Sequence, residues 1–289
     1  MIMGLNSNLK RWPPELIQGL VNQNLYVITY DNRDTGKSTW PTKESAVIKF
    51  IKYMPVFIQE PIVDWFFDQM LDERGQFKMG GVPSQYNLED MALDGISLLD
   101  HLKIDKAHIV GASMGGMIAQ VIALKYPERV KTFTGIMTTP GFDTAGLSGP
   151  YPEYVKAMRE SFILTLQGKP YESSEVVNIA LIGPSFLKLE YENLKKILKS
   201  MAEHGNNPNS GHMAAVGASP NRFKKLKEVS IATLIIHGTE DPLIPVDHGE
   251  AIANQIKNSE KLIIEGMGHN FPTLVIPAII EEMVNHFEE

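Results

Sequence analysis

Gly111-Ala112-Ser113-Met114-Gly115 decides how this chain of 289 residues folds. The residues before it, Ala107-His108-Ile109-Val110, read as a short buried strand. Those after it, 116–125, carry small residues at Gly116, Ala119 and Ala123 and read as a helix. Strand, G-x-S-x-G, helix is the context in which a serine is lifted onto a sharp turn and presented as a nucleophile. The turn drives its central residue toward a disfavoured φ/ψ, and glycines two residues to either side leave room for it. The serine then stands at the head of a helix, where unpaired N–H groups and the dipole favour developing negative charge. A glycine-rich turn with an incidental serine is the competing reading, and it needs no partners elsewhere in the chain.

The partners are present. A nucleophilic serine needs a base, and the base an orienting acid. Ile231-Ala232-Thr233-Leu234-Ile235-Ile236 is a β-branched apolar run, hence a buried strand, and it leads into the turn-rich His237-Gly238-Thr239-Glu240-Asp241-Pro242. Lys261-Leu262-Ile263-Ile264 reads as a further strand, followed by Glu265-Gly266-Met267-Gly268-His269-Asn270-Phe271-Pro272. Asp241 and His269 thus both lie just past strand ends, where parallel α/β sheets collect their ligands. The chain order Ser113, Asp241, His269 is that of the α/β-hydrolases and not of the chymotrypsin or subtilisin folds. Glu240 and Asp247 are the weaker candidates for the acid. His237 reads as structural, and His101, His108, His204, His248 and His286 as solvated or satisfied.

The chain resembles the α/β-hydrolases, and more narrowly the small esterases related to aclacinomycin methylesterase. The matching pieces are Met3-Gly4 after a strand, Tyr30-Asp31-Asn32-Arg33-Asp34-Thr35-Gly36-Lys37-Ser38 and Tyr86-Asn87-Leu88-Glu89-Asp90-Met91-Ala92. They continue with Gly111-Ala112-Ser113-Met114-Gly115-Gly116-Met117-Ile118-Ala119-Gln120, His237-Gly238 with Asp241, and Gly266-Met267-Gly268-His269. The resemblance implies a mostly parallel sheet with helices on both faces and a helical cap. It also implies an oxyanion hole formed by the backbone N–H of Met114 and that of Leu5, with Asn6 as the neighbouring alternative. Relatives of this fold begin with an antiparallel strand pair, whereas this chain starts at Met1-Ile2-Met3-Gly4, already at the oxyanion turn. The pair is therefore expected to be absent, leaving a sheet edge along 25–30 and, because unpaired edges recruit other chains, a homo-oligomer.

The run from Asp31 to Ser38 follows an expected strand, Tyr26-Val27-Ile28-Thr29-Tyr30, and contains Gly36-Lys37-Ser38. A phosphate loop needs a glycine where Asp31 stands, so an anion occupies the phosphate position and the nucleotide reading fails. Asp31, Arg33 and Asp34 are expected instead to form a hydrogen-bonded network that pins this loop beside the nucleophile.

Net charge is −7 with both signs interspersed, which argues against nucleic acid or an anionic membrane as partner. The absence of cysteine excludes disulfides and thiolate chemistry. No histidine pair has metal-ligand spacing, no cofactor is expected, and no signal peptide is visible, so a cytoplasmic enzyme is expected. The most apolar stretch, 47–70, is broken by Lys49, Lys52, Pro55, Glu60, Pro61, Asp64 and Asp68, which excludes a spanning helix.

Residues 1–140 and 221–289 are expected to form the core, with an aromatic-rich helical insertion at 43–82. Residues 141–220 show no clear strand and read as a cap with helices at 154–167, 174–182 and 191–204. The segment Gly211-His212-Met213-Ala214-Ala215-Val216 is expected to face the site. Asn6, His212, Met213 and Met267 are candidate substrate contacts, and the substrate a small to medium uncharged carboxylic ester. Perhydrolase or haloperoxidase-like and C–C bond hydrolase chemistries share the same triad. A non-catalytic small-molecule-binding fold is the reading of another class, and it gives no reason for all three of Ser113, Asp241 and His269. Dehalogenases and most epoxide hydrolases of this fold use an aspartate nucleophile, and Ser113 disfavours them.

Overall fold

Four parallel strands lie side by side in chain order in a computed structural model that describes residues 1–73, 75–78, 80 and 83–288. They are β1 (Ala107–Ala112), β2 (Val130–Ile136), β3 (Thr233–Gly238) and β4 (Ser259–Ile264). The helices, in order, are α1 (Pro14–Asn22), α2 (Ala46–Lys52), α3 (Val56–Met70), α4 (Leu88–His101) and α5 (Met114–Lys125). They continue with α6 (Pro152–Leu166), α7 (Pro170–Ile179), α8 (Pro184–His204), α9 (His212–Gly217), α10 (Val246–Gln255) and α11 (Ile276–Phe287).

Helices cover both faces, so the central strands are apolar on both sides and every residue of β3 is buried. On one face Leu88, Met91 and Ile96 of α4 pack with Met117, Ile118 and Ile122 of α5 and Ile252 of α10. On the other, Leu16 and Leu20 of α1 meet Ile276, Ile279 and Met283 of α11. The crossovers place the ends of β1, β3 and β4 on one rim, which brings the loops after them together.

Two expected strands are absent. Ile2 makes a single parallel bridge to Gly111, its N–H donating to the Val110 carbonyl at 2.8 Å and its carbonyl accepting from the Ala112 N–H at 3.0 Å. Residues 26–30 form no strand: Tyr26 is 83% exposed, and the Ile28 carbonyl accepts from the Met1 nitrogen at 2.7 Å. The β-branched pattern supplies propensity, but a strand also requires a partner ladder along its length.

α6 to α9 lie between β2 and β3. Three of these helices begin earlier than expected, at Pro152, Pro170 and Pro184. Proline in the first turn lacks an N–H that the helix would leave unpaired anyway and presets φ, so these prolines start the helices ahead of the expected positions. The insertion contains α2 and α3, whose Ile51, Val63 and Phe67 pack with Leu166 of α6. Phe66 stacks on Phe162 at 6.0 Å, while Phe50, Tyr53, Phe57 and Trp65 stay exposed. The expected insertion boundary at Val82 and the chain's last residue, Glu289, lie outside the described residues.

Candidate active site

Ser113 is the turn between β1 and α5, with φ 56° and ψ −122°. No side chain fits at its flanking glycines: a Cβ on Gly111 would stand 2.2 Å from the Gly115 carbonyl oxygen, and one on Gly115 would stand 2.0 Å from that of Ile2. The strained residue is held at both ends. Its N–H donates to the Ile136 carbonyl at 2.9 Å, and its carbonyl accepts from the Thr138 hydroxyl at 2.8 Å.

His269 lies in the loop after β4. Its Nδ1 is 2.7 Å from Asp241 Oδ2 and its Nε2 is 2.9 Å from Ser113 Oγ. An ionised carboxylate only accepts, so Nδ1 carries the proton and Nε2 is left to accept from the serine hydroxyl. The His269 backbone N–H donates to the Leu181 carbonyl at 2.7 Å, tying the loop to the turn between α7 and α8.

Asp241, fully buried, follows β3. Its Oδ1 accepts from the N–H groups of Leu243 and Ile244 at 3.0 and 2.8 Å. Burial opposes its ionisation, but the neighbouring imidazoles, His269 hydrogen-bonded to Oδ2 and His237 close by, outweigh that and hold the carboxyl well below the usual range. His237 Nε2 donates to the Ile244 carbonyl at 2.8 Å, so it shapes the Asp241 loop. The other carboxylates are engaged elsewhere. Glu240 accepts from the Ser185 N–H and hydroxyl, and Asp247 from the Ser148 N–H.

The loop after Ile2 and Met3 runs directly against the serine. A Cβ on Gly4 would lie 2.8 Å from Ser113 Cβ and 3.2 Å from its Oγ. Among the described residues the N–H groups of Leu5 and Met114 have no hydrogen-bond partner, whereas the Asn6 N–H donates to His212 Nδ1 at 3.0 Å. The two neighbouring N–H groups thus differ in their engagement.

The candidate substrate contacts divide. Asn6 is exposed and Met213 half-buried. Met267 and His212 have no solvent exposure, Met267 because it packs into the core among Ala112, Ile136 and Ile236, and His212 because both ring nitrogens are bound to backbone groups. Neither presents a free surface to a substrate.

The loop 31–34 ties the segment 3–9 to residues 204–211, but not through the internal network expected. Asp31 accepts from the Leu9 and Lys37 N–H groups and lies 2.7 Å from His204 Nε2 at the end of α8. Asn32 Nδ2 donates to the Met3 carbonyl at 2.9 Å. Asp34 accepts from Thr42, Tyr86, Asn207 and the Gly211 N–H; burial opposes its ionisation, and these bonds outweigh it and lower its pKa. Arg33 turns away to pair with Asp94 on α4. Sequence reasoning missed His204, Asn206 and Asn207 as parts of this junction. The only local signal is the polar, turn-forming run His204-Gly205-Asn206-Asn207-Pro208-Asn209.

A family model described as the alpha/beta hydrolase fold matches residues 1–272. The chain is 27% identical to a rhodomycin D methylesterase of Streptomyces peucetius, over 95% of this chain and 85% of that protein. It is 30% identical to a 2-hydroxy-6-oxononadienedioate/2-hydroxy-6-oxononatrienedioate hydrolase of Pseudomonas putida, over 73% of each chain. The solved enol-lactonase of Burkholderia xenovorans superposes with a TM-score of 0.69 at 17% identity, covering 100% of this chain and 90% of that one, a likeness of fold alone. With the family matched along nearly its whole length, the chain belongs to the α/β-hydrolase fold family.

Proposed function

We propose that the protein is a serine esterase that hydrolyses small to medium carboxylic esters, in the cytoplasm, through an acyl-serine intermediate. The observation that carries this reading is the hydrogen-bonded chain Asp241–His269–Ser113, with spacings of 2.7 and 2.9 Å. Ser113 Oγ attacks the ester carbonyl while His269 Nε2 takes its proton. The oxyanion is held by the N–H groups of Leu5 and Met114. Collapse expels the alcohol, which receives the proton from His269. Water then attacks the acyl-serine by the same route in reverse, freeing the acid. Similarity to the methylesterase supports ester chemistry. An uncharged acyl group is favoured because no lysine or arginine lies in the oxyanion, nucleophile or histidine loops, and Arg33 is occupied by Asp94. Among the described residues no helix is long and apolar enough to cross a membrane.

Steady-state kinetics on p-nitrophenyl esters from acetate to palmitate test the reading. kcat/KM is expected to peak at short to medium acyl chains. A maximum at palmitate with activation at an oil–water interface would contradict it and give the exposed aromatics of α2 and α3 a lid role. Similarity to the Pseudomonas putida hydrolase favours a second reading, C–C bond hydrolysis by the same residues. Turnover of a vinylogous 1,5-diketone with no turnover of any ester would select it.

A further inference from the structure

Gly4 to Ser7 form a turn closed by the Ser7 N–H donating to the Gly4 carbonyl at 3.2 Å. Asn6, at its third position, has φ 54°, a left-handed conformation that non-glycine residues hold when their surroundings over-determine it. The cap supplies those surroundings. The Asn6 N–H donates to His212 Nδ1 at 3.0 Å and its carbonyl accepts from Asn206 Nδ2 at 3.0 Å. The other nitrogen of His212, Nε2, lies 2.7 Å from the Arg33 carbonyl. That carbonyl only accepts, so Nε2 carries the proton and Nδ1 is obliged to be the acceptor. His212 is sealed from solvent, so no water replaces either bond if the side chain is removed.

The geometry of this turn decides which N–H faces the nucleophile. The Leu5 N–H belongs to the peptide that follows Gly4, which is pressed against Ser113. If Asn6 leaves its left-handed conformation the turn opens, the Leu5 N–H swings away and the Asn6 N–H is released to compete for the same space. We propose that His212 is a positioning residue for the oxyanion hole. By accepting the Asn6 N–H it locks the Gly4–Ser7 turn so that Leu5 N–H faces the reacting carbonyl. The hole is then complete only while α9 is seated on the core, which couples the cap to chemistry without any cap side chain touching the substrate. This rests on the esterase reading above.

Two amide variants separate positioning from mere packing. His212→Asn places an oxygen acceptor where Nδ1 stands. His212→Gln reaches the Nε2 position and keeps only the donor to Arg33. Outright loss of an oxyanion donor costs about 10²- to 10³-fold in kcat, so misaiming one is expected to cost His212→Gln about 10- to 100-fold. Its KM should stay within about twofold, and its affinity for a trifluoromethyl ketone transition-state analogue should fall in step with kcat/KM. His212→Asn should stay within about threefold of wild type in kcat. Wild-type kcat in His212→Gln, equal losses in both variants, or a rise in KM alone would overturn the proposal. Should either variant melt out in circular dichroism, the wild type decides. A scalar coupling across the hydrogen bond between the Asn6 amide nitrogen and His212 Nδ1 is expected in nitrogen-labelled protein, and a protonated Nδ1 overturns the clamp. Wild-type turnover of p-nitrophenyl acetate reports on the esterase reading alone, so the two failures are distinguishable.

Discussion

At the scale of single residues, the site sets similar side chains to different tasks by their surroundings. Asp241 and Asp247 both lie near β3, yet only Asp241 reaches His269, while Asp247 accepts from a backbone N–H at the base of the cap. Asp241→Asn is expected to lower kcat by about 10⁴-fold with KM little changed, because the amide no longer fixes the imidazole tautomer or stabilises its cation. Asp247→Asn should cost less than about tenfold. Steady-state kinetics of the pair check this, and the reverse order would move the acid elsewhere. Two buried histidines contribute to the loss of stability in acid. Burial lowers the pKa of His212 and of His248 from the ordinary 6.5, so folding favours their neutral forms. Above that value folded and unfolded chains bind these protons equally. As pH falls below it the unfolded chain takes up protons that the folded one refuses, so stability is present in full above about pH 6.5 and declines toward the lowered folded pKa values. Urea unfolding from about pH 8 to about pH 5 should show this decline, and His248→Gln should make it shallower by about one proton. Stability that rises over the same range would contradict it.

At the scale of elements, glycines mark where two segments need the same space. A Cβ on Gly183, at the start of α8, would lie 2.2 Å from the Gly266 carbonyl oxygen and 2.9 Å from the Gly268 nitrogen. Its φ of −58° suits any residue, so the constraint is contact and not conformation. Gly183→Ala is therefore expected to push the cap off the His269 loop, costing about 1–3 kcal/mol together with a fall in kcat. Thermal melting and kinetics check this, and wild-type values for both would show that the cap is not seated there. Elements whose signal is local were legible in the sequence: the strand–Ser113–helix turn, the apolar run before Asp241 and the glycine-flanked His269 all appear where residue chemistry put them. What was illegible depends on distant partners. Residues 26–30 have a strand's composition but lack a ladder, and Pro152, Pro170 and Pro184 open helices because the following residues find packing in the cap. His212 was singled out in the sequence as a substrate contact and not as a partner of Asn6, because the acceptor it provides is used 206 positions away in sequence.

At the scale of the whole molecule, the candidate site is where three remote segments are tied together. The turn after Gly4, the loop 31–34 and the cap residues from Met201 to His212 share one hydrogen-bonded junction. Asn8 Nδ2 shares its two hydrogens among the Met201 and Gly205 carbonyls and Asn206 Oδ1, which lie 2.9, 3.0 and 3.0 Å away. The parallel sheet delivers Ser113, Asp241 and His269 to a common rim, and the junction brings the Gly4–Ser7 turn to the same place. The aromatic face of α2 and α3 lies on this insertion, outside that junction. The central claim is that Ser113 is the nucleophile, and covalent labelling tests it most directly. After treatment with a fluorophosphonate, mass spectrometry of the digested protein should place a single adduct on Ser113, and Ser113→Ala should lose both the adduct and ester turnover while keeping its fold. An adduct on another residue, or a Ser113→Ala protein that still turns over ester at the wild-type rate, would contradict it.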